Sequence, residues 1–174
     1  TCLLEGRGVS TGKSLGFHPV TEMLCQWAHI REDDGEAVSV GKLEETIRKV
    51  DPENMDEIVP FVATLMGMKL SGKHAERTKN LEGAALSKLI LKNVGQLIAR
   101  LSEAMPLVVI MEDLHWADSS TIELLEFLFH LARKCRAVFI NVFRPGHDSS
   151  SDRISRTVQN KYNELSIEIR LRPL

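Results

Sequence analysis

The stretch Leu107-Val108-Val109-Ile110-Met111-Glu112-Asp113-Leu114-His115-Trp116-Ala117-Asp118 decides the fold, because five apolar residues stop abruptly at two adjacent carboxylates. A buried parallel strand reads as a continuous apolar run, and open α/β sheets bind their ligands beyond the carboxyl ends of such strands. Glu112 and Asp113 are therefore expected at that end. One carboxylate there can hold a Mg²⁺, directly or through water, while its neighbour orients a water for phosphoryl transfer. Taken alone, two acids after a strand more often mark a solvated turn, so the neighbouring residues must decide.

Strand-Glu-Asp-Leu-His-Trp-Ala-Asp resembles, letter for letter, the Walker B segment of the signal-transducing (STAND-type) AAA-like ATPases. Asn141-Val142-Phe143-Arg144-Pro145 is similar to the sensor strand of that family, and Leu171-Arg172-Pro173-Leu174 to its next strand. The resemblance spans most of the chain. It implies an α/β, three-layer parallel-sheet P-loop NTPase core with ATP and Mg²⁺ as ligands. It also implies a cytoplasmic module that gates an output in bacterial multidomain cyclases, kinases or transcription activators. The expected partners are ATP and the other domains of the parent protein, with a nucleotide-dependent oligomer as an assembly state. On this reading Glu112 and Asp113 bind the metal, Asp113 activates water, and Arg144 senses the γ-phosphate. Glu112, Asp113 and Arg144 together form the cofactor-binding set.

Gly12-Lys13-Ser14 looks like the close of a phosphate-binding loop, GxxxxGK followed by Ser or Thr, but its register fails. The position of the opening glycine falls on Arg7, between Gly6 and Gly8, and Gly16 and Pro19 interrupt the helix that should cradle phosphate. Gly6-Arg7-Gly8 followed by Phe17-His18-Pro19-Val20 is instead similar to the second strand of the family and its loop. The expectation is thus a single partial domain lacking its P-loop strand. Residues 1–31 would hold the second strand and helix, 32–105 a helical segment, and 106–174 the acidic, sensor and final strands. An unpaired edge beside 138–143 is then expected, or a final strand that slides into the gap.

Composition agrees with one domain: 174 residues, 43% hydrophobic and 26% charged, are ordinary globular values. A formal charge of −2 with dispersed Lys and Arg gives no support for a basic nucleic-acid footprint. Cys2, Cys25 and Cys135 are odd in number and far apart, so they form neither a disulfide framework nor a CxxC metal site. No run approaches the roughly 20 apolar residues of a membrane span.

Apolar spacing predicts helices over 20–31, 42–50, 55–66 and 84–105. Leu86, Ile90, Val94, Leu97 and Leu101 form one stripe on the longest. Pro60 is expected to kink or divide its helix, and 69–79 reads as a solvated connection. Ser120 and Glu123 have capping-box spacing, although Asp118 can equally cap a helix that starts at Ser119 or Ser120. A strand over 137–143 then implies a right-handed parallel crossover, a short helix carries Ile154 and Val158, and 165–171 alternates as a half-exposed strand.

His115 beside Asp118 is more often a structural imidazole than a metal ligand, and Trp116 reads as a packing anchor. Arg144 can read a phosphate or pair with Asp148. Glu112 precedes Asp113, the reverse of the usual Asp-then-Glu order in P-loop enzymes, which suits slow turnover and a switch. Two alternatives stand beside the ATPase: a non-catalytic nucleotide-switch or interaction module, and a metal-dependent hydrolase built on Glu112, Asp113, His115 and Asp118. From the failed loop register, Lys13→Ala is expected to leave the ATP affinity of the parent protein unchanged in isothermal titration. A loss of about tenfold, roughly 1.4 kcal/mol, would refute that reading.

Overall fold

The computed structural model describes residues 1–10, 16–144, 146 and 149–171, and among these residues three strands and seven α-helices follow one another. The strands are β1 (Cys2–Arg7), β2 (Leu107–Glu112) and β3 (Ala137–Asn141). They form a parallel sheet in the order β1-β2-β3, so the acidic strand is central. The expected strand over 137–143 is thus two residues shorter, although the Val142 amide still donates to the Met111 carbonyl at 2.8 Å.

The register sorts the side chains. Leu4, Val109 and Phe139 lie side by side, as do Gly6, Met111 and Asn141, because parallel partners share a face. This face is covered. Helix α1 (His18–Trp27) lies so close to it that a Cβ on Gly6 would meet the Pro19 carbonyl oxygen at 2.2 Å. Phe129, in the 3-10 turn Phe129–Arg133, packs edge-on against both Phe139 and Tyr162 at the end of α7 (Ser149–Tyr162). Helix α6 (Ser119–Leu128) fills the layer between, touching α1 and α7. The opposite face carries Leu3, Val108, Ile110, Val138 and Ile140, of which Leu3, Val138 and Ile140 are exposed. The described residues therefore make an α/β sheet with helices on one face, two layers where three were expected.

The middle of the chain is helical, as its spacing predicts. Helices α2 (Glu36–Val50), α3 (Met55–Leu65), α4 (Gly72–Thr78) and α5 (Gly83–Ala104) pack with α3 against both α2 and α5. The α5 stripe is buried at Ile90, Val94, Leu97 and Leu101, with Leu86 partly buried at its start. Pro60 does not divide α3. It removes only the bond to the carbonyl of Asp56, a solvent-exposed residue near the helix start, where water can replace the lost donor.

The connection expected over 69–79 is a correction, since α4 lies within it. One buried residue holds that helix: His74 Nε2 meets Glu44 Oε1 of α2 at 2.7 Å. Lys73 Nζ reaches Asp56 Oδ1 at 2.6 Å. Two polar contacts give no apolar period, so the spacing rules have nothing to detect. The final strand is also corrected: residues 166–171 pair with nothing in the sheet.

Asp51 anchors the helical part. Its carboxylate accepts from Asn54 Nδ2 at 2.8 Å, and from Gln96 Nε2 and Arg100 Nε, both on α5, at 3.3 Å. Burial works against its charged form, but the hydrogen bonds from Asn54 and Gln96 and the Arg100 charge outweigh it and hold the carboxyl below its ordinary range. A carboxyl that titrates lower in the folded chain contributes stability in full above its unfolded value, about pH 4, and loses it as pH falls through the folded value. Asp51→Asn should therefore cost about 2 kcal/mol at pH 7 in urea denaturation, and the gap to the parent chain should narrow below about pH 4. A gap that does not change with pH would refute the ionised anchor.

Candidate functional site at the carboxyl edge of the sheet

Parallel strands bring their carboxyl ends to one edge, and three charged side chains meet there. Arg7 ends β1 opposite Glu112, the last residue of β2, and Asp113 follows. Arg7 Nε lies 3.1 Å from Asp113 Oδ2 and 3.6 Å from Glu112 Oε2. The side chains of Arg7, Glu112 and Asp113 are 61%, 50% and 36% exposed, so solvent screens these pairs and each is worth about 0–1 kcal/mol.

Backbone, more than charge, fixes the acids. Asp113 adopts the left-handed conformation with φ 52°, uncommon for a residue with a side chain. It turns the chain into the 3-10 turn Leu114–Trp116, where the Trp116 amide donates to the Asp113 carbonyl at 2.9 Å. Leu114 then donates to the Val142 carbonyl at 3.0 Å, tying the turn to the end of β3. On the other side the Gly8 amide donates to the Glu112 carbonyl at 2.8 Å. A Cβ on Gly8 would stand 2.4 Å from the Asp113 carbonyl oxygen. Gly6 and Gly8 are thus glycines because backbone crosses them closely, which accounts for both without a phosphate loop.

Asp118 is the helix cap, and the capping-box reading of Ser120 and Glu123 is corrected. Its Oδ1 accepts from the Ser120 and Thr121 amides at 2.9 and 3.0 Å. Its Oδ2 accepts from the Phe17 amide at 3.0 Å, joining the start of α6 to the start of α1 across 101 positions. Occupied in this way, Asp118 has little left for a cation. His115 is buried beside Trp116, their ring centroids 5.0 Å apart. Among the described residues, no group of three or more His, Cys, Asp or Glu is placed to hold a metal ion.

Arg144 lies three residues beyond β3 and is exposed. It follows the strand next to β2, as expected, and leaves the same edge. Lys13, Pro145, Asp148, Arg172, Pro173 and Leu174 lie outside the described residues, so the Arg144–Asp148 alternative and the Arg-Pro-Leu ending do too. Arg7 is the residue that sequence reasoning missed. Its signal was the register: two parallel apolar runs, ending at Arg7 and at Glu112, place the cation against the acids only once they are aligned.

Chemically, the edge offers two carboxylates and one guanidinium. A divalent cation at Glu112 and Asp113 would compete with Arg7 for Glu112 Oε2 and Asp113 Oδ2, and a carboxylate oxygen not engaged by Arg7 can orient a water. Comparison with protein-family profiles, characterised proteins and solved structures returned no match. The backbone argument predicts that Gly8→Ala costs about 2 kcal/mol or more, because the new Cβ would meet the backbone carbonyl oxygen of Asp113, which cannot swing away as a side chain can. Arg7→Ala should stay within about 1 kcal/mol of the parent chain. Equilibrium denaturation of both variants is the check, and the reverse ranking would show that charge holds this edge.

Proposed function

We propose that this chain is part of an ATP-binding regulatory ATPase module that gates a signalling output in a cytoplasmic, multidomain bacterial protein. One observation carries the proposal: Glu112 and Asp113 close the central strand of a parallel sheet, and Arg144 follows the neighbouring strand. That is the edge at which open α/β sheets take their ligands. The wording Glu-Asp-Leu-His-Trp-Ala-Asp adds the resemblance to the Walker B segment of STAND-type ATPases. In this reading the core is a P-loop NTPase core, Glu112 with Asp113 would hold Mg²⁺, and Mg²⁺ would neutralise phosphate charge. Asp113 orients water, and Arg144 reads the γ-phosphate through charge-assisted bonds. Partners are ATP and the other domains of the parent, in a nucleotide-dependent oligomer.

The second reading is a nucleotide switch or interaction module without turnover. Arg7 favours it, because its guanidinium already lies against both acids. A resident guanidinium there competes with a metal ion for the same carboxylate oxygens. The hydrolase reading loses ground to the cap role of Asp118, since that carboxylate is spent on backbone amides and Thr121. No helix among the described residues is long and apolar enough to cross a membrane.

In the parent protein, Asp113→Asn should lower ATP turnover at least about tenfold while changing ATP affinity less than about threefold, as expected for loss of a base at unchanged size. Glu112→Gln should raise the Mg²⁺ concentration needed for half-maximal turnover. Steady-state hydrolysis at saturating nucleotide decides: unchanged turnover in both variants removes the ATPase reading, and a measurable nucleotide-dependent output would then leave the switch.

A further inference from the structure

The outer edge of β1 lies on the far side of the sheet from β3, and its backbone groups alternate. The amides of Cys2 and Gly8 donate to the carbonyls of Pro106 and Glu112, so even-numbered residues bond β2. Leu3, Glu5 and Arg7 therefore turn their N–H and C=O groups outward. Glu22 of α1 closes one end of that row, its Oε2 accepting from the Arg7 amide at 3.1 Å. Leu3 and Glu5 keep an open donor and acceptor each. Beside them runs a groove of about 370 Å³, lined on one side by Leu3, Leu4 and Glu5 and on the other by residues of α1 that include Met23 and Trp27. Met23 is buried and Trp27 half-buried, so the floor of the groove is apolar. Glu5 is exposed and makes no ion pair among the described residues. We propose that this edge takes an extended peptide as an added antiparallel strand, with a basic residue opposite Glu5 and apolar residues opposite Leu4 and Leu3.

Strand geometry sets that pattern. In an antiparallel pair, Leu3 and Glu5 each exchange both backbone bonds with one partner residue, and residues directly opposite share a face of the sheet. The partner residue opposite Leu4 thus falls on the covered side, over Met23 and Trp27. Its neighbours fall on the open side, one against Leu3, which is 55% exposed, and one against the carboxylate of Glu5. The backbone bonds supply affinity and the alternate side chains supply selection. The same carboxylate turns away strands that bring no cation to that place.

A second copy of β1 fits this pattern poorly. Antiparallel pairing centred on Leu4 sets Leu3 opposite Glu5, and pairing centred on Glu5 sets two carboxylates together. The register that sets Arg7 opposite Glu5 needs the Arg7 amide, which Glu22 already holds. A separate peptide with a basic residue is therefore the occupant. The surface uses none of Glu112, Asp113 and Arg144, so it stands apart from the nucleotide reading.

Fluorescence polarisation on the full chain tests this, with a fluorescein-labelled peptide of core Lys-Leu-Val between glycines as the probe. Binding is expected with a dissociation constant on the order of 0.1 mM, since the interface is far below standard size. N-methylation of the valine removes a donor to Leu3 and should weaken binding at least about tenfold, whereas N-methylation of the leucine, whose amide faces solvent, should change it less than about threefold. Glu5→Lys should weaken the lysine peptide about fivefold and favour a peptide with glutamate in its place. No binding at roughly 2 mM peptide, about 20 times the expected constant, would overturn the proposal, and so would equal effects of the two methylations. Self-association in sedimentation that Glu5→Lys abolishes would also overturn it, by assigning the edge to a second copy.

Discussion

Close backbone contact at Gly6 and Gly8 is the constraint on which the rest of the structure depends. At Gly6 the strand receives the first turn of α1, and at Gly8 it receives the carbonyl of Asp113. Both contacts need a residue without a side chain. With them, β1 lies flat on β2, α1 seals one face, and the turn after the acidic strand is held in its left-handed conformation. A side chain at Gly6 would push α1 off β1, and one at Gly8 would push away the turn after β2, much further along the chain. The site geometry is therefore a product of backbone packing, and the charges of Arg7, Glu112 and Asp113 are arranged by it.

Helical periodicity and the apolar strand were legible in the sequence because they are local. Leu107 to Glu112 announced a buried strand, and the stripe from Ile90 to Leu101 announced a buried helix face. Asp118 was legible as a cap only as one of two options, since its competitor Ser120 has equal local claim; the Phe17 amide, far away in sequence, occupies its second oxygen. Arg7 was illegible for the same reason, as its meaning comes from register with β2. Helix α4 escaped because His74 and Lys73 hold it through partners on other helices. The segment 165–171 was read as a strand from its alternation, and the structure leaves it extended and exposed.

The helical part and the sheet are stabilised by different means. In the helices, Asp51 gathers Asn54, Gln96 and Arg100 around one buried carboxylate, a polar tie inside an apolar bundle. Such a group is costly to bury and costlier to leave without partners, so it selects one arrangement of α2, α3 and α5. In the sheet, the covered face packs against α1 and the 3-10 turn Phe129–Arg133, and α6 lies against both of these. The uncovered face changes along the strands from Leu3, Val108 and Val138 to Arg7 and Glu112. Its apolar end is suited to packing and its charged end to ligand chemistry.

The pairing of β1 with β2 also has a consequence during synthesis. Arg7 and Asp113 are 106 positions apart, and every helix from α1 to α5 is made between them. At ribosomal rates of about 5–20 residues per second, the first strand waits roughly 5–20 s for its partner. The helices close local contacts in far less time, so they can assemble on Asp51 and the α5 stripe while β1 has nothing to bond. During that interval Leu3 and Leu4 sit on a strand without its partner, and the charge of Glu5, which follows them, disfavours pairing of that strand with other chains.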